Sequence, residues 1–103
     1  MDELADRLCG LLGLARRAGK LAVGASAVER MVHQDFRPLV VVASDAGTSL
    51  RGTVERWEDL RAVLDDVLTS EDLARVFGRE KLAIVAVSDP GFVRGILKLK
   101  EQA

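Results

Sequence analysis

A three-layer α/β/α sandwich around a small mixed sheet of about four strands is the fold this sequence predicts. Helical and extended patterns alternate along the chain, and two extended runs, residues 39–43 and 82–87, are continuously apolar. A run without polar alternation fits a strand covered on both faces, so helices must lie on both sides of the sheet. At 103 residues there is length for one domain around one sheet, and the domain spans 1–103.

Leu4, Leu8, Leu11, Leu12, Ala15 and Ala18 recur at helical steps, which predicts an amphipathic helix of about four turns. Gly19 is its stop. Residues 20–23 read as a short strand. A second helix runs from about Ala25 with Val28, Met31 and Val32 inward. It ends before Pro38, because the residue preceding a proline avoids helical angles. Residues 39–43 form the central strand and 44–48 a polar loop. Leu50, Val54 and Trp57 place a third helix next, reaching towards Leu60, with Gly52 its weak point. Trp57 keeps step with Leu50 and Val54, so it is a core or rim residue rather than a platform for bases.

Residues 62–68 read as a short strand ending at Leu68, despite Asp65 and Asp66. Thr69 followed by Asp72 forms a capping box for a short helix burying Leu73, Val76 and Phe77, and Gly78 stops it. Residues 82–87 are the second buried strand. Asp89 before Pro90 is an N-cap with proline at the first helical position. Phe92, Val93, Ile96 and Leu97 face inward from this last helix, and Lys98 and Lys100 suit its C-terminus.

Composition excludes several classes. Hydrophobic residues make up 49% and charged residues 30%, the balance of a folded chain rather than a disordered or membrane-spanning one. No apolar run approaches the roughly 18 residues of a membrane helix. Asp2, Glu3 and Asp6 are unlike the basic start of a signal peptide. Cys9 is the single cysteine, which leaves no internal disulfide, so a cytoplasmic location is expected; it reads as a buried, inert thiol. Cys9 and His33 alone cannot build a zinc site, and no cofactor is expected. Residues 13–20 resemble a phosphate-binding loop only superficially: five residues, not four, separate Gly13 from Gly19, and Leu21 replaces the magnesium-binding hydroxyl. Glu58-Asp59 and Asp65-Asp66 read as solvated faces, so no residue set supports an enzyme.

The net charge of −1 is unlike a generic polyanion binder, but its distribution is uneven. Residues 12–33 hold Arg16, Arg17, Lys20 and Arg30 against Glu29 alone, whereas 55–72 are dominated by acids. One end of the domain is therefore expected to be positive and another negative. Lys20 and Arg30 bracket a turn at Gly24 whose amides precede a helix, a ready anion site. The residues alone leave two readings open: phosphate contact, or a plain strand-to-helix turn with two solvated cations.

Together with this order of elements, three stretches carry a family resemblance: Ala18-Gly-Lys-Leu-Ala-Val-Gly-Ala-Ser-Ala-Val-Glu-Arg30, Val41-Val-Ala-Ser-Asp45 and Asp89-Pro-Gly-Phe92. Over almost its whole length the chain resembles the L-seven-Ae ribosomal-protein family, most of all its bacterial, YlxQ-type members. The resemblance implies a small non-catalytic protein that binds structured RNA, either ribosomal RNA or a kink-turn. A kink-turn is a sharply bent internal loop with tandem G·A pairs and a bulged nucleotide. A ribosomal or protein partner is implied as well, and a monomer without membrane contact is expected.

The family's recognition turn reads Gly-x-Asn-Glu-x-x-Lys. Here Gly24 keeps the glycine, Ala25 fills the variable place and Arg30 stands for the lysine. Ser26 takes the asparagine place, with one hydroxyl in place of an amide. Ala27 takes the glutamate place and has no polar atom. In the family the Asn and Glu read base edges, while the lysine and free amides hold the backbone. The departures therefore weaken sequence discrimination more than attachment, each lost base-edge contact being worth about 1–3 kcal/mol.

Two further loops complete such a site by resemblance. Ser44 and Asp45 stand at the family's acidic pair, with Asp45 bracing the recognition turn. Val87 and Ser88 stand where members of the family cover an extruded base. The plainer alternative for both loops is capping, by Asp45 of the third helix or its preceding turn and by Asp89 of the last. The alternative function is a protein-interaction module on the same fold with a decayed RNA surface, which the net charge, Ala27 and the acidic segment favour. The RNA reading expects Lys20 and Arg30, with Arg16 or Arg17, to share one exposed end around Gly24.

Overall fold

A computed structural model describes residues 3–34 and 36–102. The elements are α1 (Glu3–Arg17), β1 (Leu21–Val23), α2 (Ala25–His33), β2 (Leu39–Val42), α3 (Thr48–Arg56), β3 (Ala62–Leu64), α4 (Ser70–Phe77), β4 (Ile84–Val87) and α5 (Pro90–Glu101). The four strands form one mixed sheet in the order β1-β4-β2-β3. β4 is antiparallel to both neighbours, and β2 pairs with β3 in parallel.

Strand alternation divides the core into two. Leu39, Val41, Val85 and Val87 point to one face, against Leu8, Leu12 and Ala15 of α1, Leu73 and Phe77 of α4, and Val93 and Ile96 of α5. Val40, Val42, Ile84 and Ala86 point to the other, against Val28 of α2 and Val54 of α3. Because both faces of β2 and β4 are covered, every residue of these strands is buried, as their unbroken apolar sequence requires. Helices on both faces make the expected three layers.

Local chemistry sets the helix ends. Gly19 (φ 72°) and Gly78 (φ 63°) turn the chain after α1 and α4 through the left-handed region that favours glycine. At α4 the Asp72 amide donates to the Thr69 hydroxyl (3.1 Å) and the Thr69 amide to the Asp72 carboxylate (3.0 Å), the expected capping box. Asp89 caps α5 by accepting from the Phe92 amide at 3.2 Å.

Three expectations are corrected. β3 ends at Leu64, not Leu68, because Asp65 and Asp66 turn outward to meet Arg51 (3.5 Å) and Lys100 (3.0 Å). Leu68 then re-enters the core from a loop, and its carbonyl accepts from the Ser44 amide at 2.8 Å. α3 stops at Arg56, so Trp57 packs half-buried on extended backbone instead of continuing the helix. The acids of 55–72 are partly neutralised, since Asp59, Asp65, Asp66 and Asp72 each face an arginine or lysine, while Glu55, Glu58 and Glu71 are exposed without an ion pair among the described residues. Among the described residues no helix is long and apolar enough to cross a membrane.

Candidate nucleic-acid interface

Strand register decides which loops meet. Leu21, Val87 and Leu39 lie level at one end of the sheet. At the other end the Gly24 amide donates to the Ile84 carbonyl (3.0 Å) and the Ala43 amide to the Ala83 carbonyl (2.8 Å). The bond from the Ser44 amide to Leu68 brings in the start of α4. Gly24, the loop after β2, the N-terminus of α4 and the segment leading into β4 therefore share this end.

Gly24 sits at φ 90°, ψ 161°, a conformation open in practice only to glycine, and it is the N-cap of α2. No side chain caps this helix. Its first backbone bond runs from the Val28 amide to the Gly24 carbonyl (3.0 Å), so the amides of Ala25, Ser26 and Ala27 precede the helical ladder. Ser26 and Arg30, four residues apart, are both exposed on the outward face of α2. Ala27 is half-buried against the smaller core.

Asp45 neither braces this turn nor caps α3, whose N-cap is Gly47 without a side-chain bond. It accepts from the Ser70 amide (2.8 Å) and hydroxyl (2.7 Å), tying the loop after β2 to the N-terminus of α4. The Ser70 hydroxyl, then the Ser70 amide, hold the Asp45 carboxyl below the usual carboxylate range. A carboxyl lowered in the folded state stabilises above its unfolded value, about 3.9, and loses that effect as pH falls through its folded value. Asp45→Ala is accordingly expected to melt below the parent at neutral pH, with the two melting curves converging below about pH 4. A gap that stays constant from pH 7 to pH 3 contradicts this role.

The segment after α4 supplies what the sequence analysis missed. Gly78 turns the chain, the Arg79 amide donates to the Ala74 carbonyl (2.9 Å), and the Arg79 guanidinium comes to 3.9 Å from where a Cβ on Gly24 would stand. An open concavity of about 820 Å³ lies between these loops, lined by Gly24, Ala25, Asp45, Arg79, Lys81 and Leu82 among others. Arg79 and Lys81 are exposed. The one signal for them in the sequence is a charged run, Arg79-Glu80-Lys81, that no core spacing absorbs.

Other expected members lie elsewhere. Val87 is fully buried in the larger core, which corrects its assignment to a surface. Ser88 follows it at the far end of the sheet, the end where Lys20 precedes β1. From Lys20 to Gly24 the chain is extended, roughly 13 Å at about 3.3 Å per residue, so Lys20 and the Gly24 turn do not share an end. Arg16 is committed elsewhere: its guanidinium donates to the Phe77 carbonyl (3.3 Å) and lies 5.5 Å from the Phe77 ring centre.

No family model matches the chain. A Bacillus subtilis protein named RNA-binding protein YlxQ is 30% identical to it over 90 residues, 86% of this chain and 90% of that protein. The chain belongs to the YlxQ branch of the L-seven-Ae family. Two solved structures extend the likeness of this YlxQ-family chain to three dimensions. A Bacillus halodurans protein of unknown function superposes with a TM-score of 0.77 at 28% identity, over 91% of this chain and 96% of that one. The Giardia lamblia 15.5 kD RNA binding protein superposes with a TM-score of 0.68 over 99% of this chain and 88% of that one; at 15% identity it speaks to the fold alone.

Proposed function

We propose that this chain binds structured RNA, ribosomal RNA or a kink-turn, by gripping its backbone at the end of the sheet around Gly24. Base recognition is weaker than in kink-turn binders of the family, and no catalysis is assigned. One observation carries the reading: the uncapped turn at Gly24 and Ala25 lines the same concavity as Arg79 and Lys81. Free amides at a helix N-terminus favour a phosphate oxygen, and cations across the cleft complete a cradle for a bent backbone. Arg30, on the outward face beside Ser26, extends the cationic side. The relationship to a protein named as RNA-binding supports the same reading. A cytoplasmic monomer fits it.

A second reading, a protein-interaction module, has one observation in its favour. Glu71 and Glu80 line the concavity beside Arg79 and Lys81, so its free charges nearly cancel. Salt separates the two, because phosphate contacts release counterions and affinity then falls steeply as salt rises.

Base reading has its own test. Ser26→Asn with Ala27→Glu restores the family's base-reading pair on an unchanged turn. Asn and Glu both suit a helix N-terminus, and the stem of the introduced glutamate would lie along the edge of the smaller core with its carboxylate outward. The double variant is expected to gain at least about tenfold for a kink-turn, one base contact's worth, and little for a duplex of equal length. Gel-shift titration of both proteins against both RNAs decides it. Equal gains on the two RNAs, or none, would mean that this turn does not read bases.

A further inference from the structure

We propose that the groove between α1 and α5 is a docking site for an acidic amphipathic helix of a partner protein. α1 ends, and α5 begins, at the end of the sheet where Leu21 pairs with Val87, so the two helices run antiparallel with a channel between their outer faces. The channel has a volume of about 590 Å³. It lies in the helical layer opposite α2, away from the Gly24 turn.

Its floor is apolar and unfilled. Leu14 is 48% exposed although Leu8 and Leu12 of the same helix are fully buried, and Leu11 and Leu99 are half-buried beside it. Gly10 and Gly95 line the channel in mid-helix, where glycine weakens a helix. A Cβ on Gly10 would meet nothing within 4 Å, and one on Gly95 only the methyls of Leu11 at 3.9 Å and beyond. The channel has room for a side chain at both glycines.

Charge selects the occupant. The charged residues lining the groove, Arg7, Arg17 and Lys98, are all basic. Arg7 already holds Glu3 at 2.7 Å, while Arg17 and Lys98 have no ion-pair partner among the described residues. Arg7 to Arg17 spans roughly 15 Å of helix axis, about three turns, enough to seat apolar residues at i, i+3, i+4 and i+7 of an incoming helix. Acidic residues flanking that stripe would meet Arg17 and Lys98. A second copy of this chain docking face to face would set these cations against themselves. RNA is disfavoured because the floor of Leu11, Leu14 and Leu99 offers a phosphate backbone no hydrogen-bond donor, and its burial would be wasted on so polar a ligand.

The test uses the full chain and three labelled synthetic peptides of about 14 residues, long enough to cover the groove. One carries leucines at helical spacing flanked by glutamates, the second replaces each glutamate by lysine, and the third scrambles the first. Fluorescence anisotropy should show at least tenfold tighter binding of the glutamate peptide than of the other two. Gly10→Leu fills the channel and should lose that binding at least tenfold while its thermal midpoint holds or rises, because leucine is the better helix former. Arg17→Glu with Lys98→Glu should invert the preference towards the lysine peptide. Equal affinity for the glutamate and scrambled peptides overturns the proposal. So does unchanged binding by both variants, or displacement of the peptide by a short RNA duplex.

Discussion

Reversing charge at Arg79 and Lys81 together should lower affinity for structured RNA at least about a hundredfold at low salt. Each reversed phosphate contact is taken as about tenfold, or about 1.4 kcal/mol. The slope of affinity against salt should flatten by about two counterions. Both side chains are exposed and neither makes an ion pair among the described residues, so stability should change by no more than about 0.5 kcal/mol. Lys20→Glu is the control for position, because it reverses one charge at the opposite end of β1. If Lys20→Glu weakens binding as much as the double variant, attachment is diffuse and the concavity is not the site. If the double variant binds normally, the gripping surface lies elsewhere.

Val28→Asp is expected to have the largest effect on stability. Val28 is fully buried and is the one buried residue of α2, so it pins the helix that carries the Gly24 turn onto β1 and β4. An unpaired carboxylate there should cost about 3–5 kcal/mol, a large share of the 5–15 kcal/mol typical of a domain. At about 4–8 °C per kcal/mol, the thermal midpoint should fall by at least about 12 °C. Val28→Ala, which removes two methyl groups, should cost about 1–2 kcal/mol and keep RNA binding in the cold. An aspartate variant melting within about 5 °C of the parent would show that α2 is not held by this contact.

What the sequence makes legible is local. The capping box at Thr69, the Asp89-Pro90 start of α5 and the glycine stops are each written within a few residues, and each is found in place. β2 and β4 are legible because burial on both faces leaves no polar position. The assembly of loops is not written locally. Lys20 is four residues from Gly24 in sequence, yet an extended strand carries it to the other end of the sheet. Val87 and Ser88 fail as neighbours of Gly24 for the same reason: antiparallel pairing brings the beginning of β4 to Gly24, not its end. Asp45 finds its partner in Ser70, 25 residues on, and Arg79 reaches a turn more than 50 residues earlier. Neither relation leaves a periodicity to read.

The insertion of β4 between β1 and β2 also sets a timetable for synthesis. β1 has β4 as its sole strand partner among the described residues, and the bond that seats Gly24 ends on Ile84, about 60 residues downstream. At roughly 5–20 residues per second, a ribosome needs about 3–12 s to make that interval. Throughout it, β1 and one edge of β2 stay unpaired, and the glycine turn has no carbonyl to donate to. A nascent chain therefore cannot assemble its Gly24 surface early, however much of its N-terminal half has emerged. The surface matures as a late event, when the penultimate element slots into the middle of the sheet.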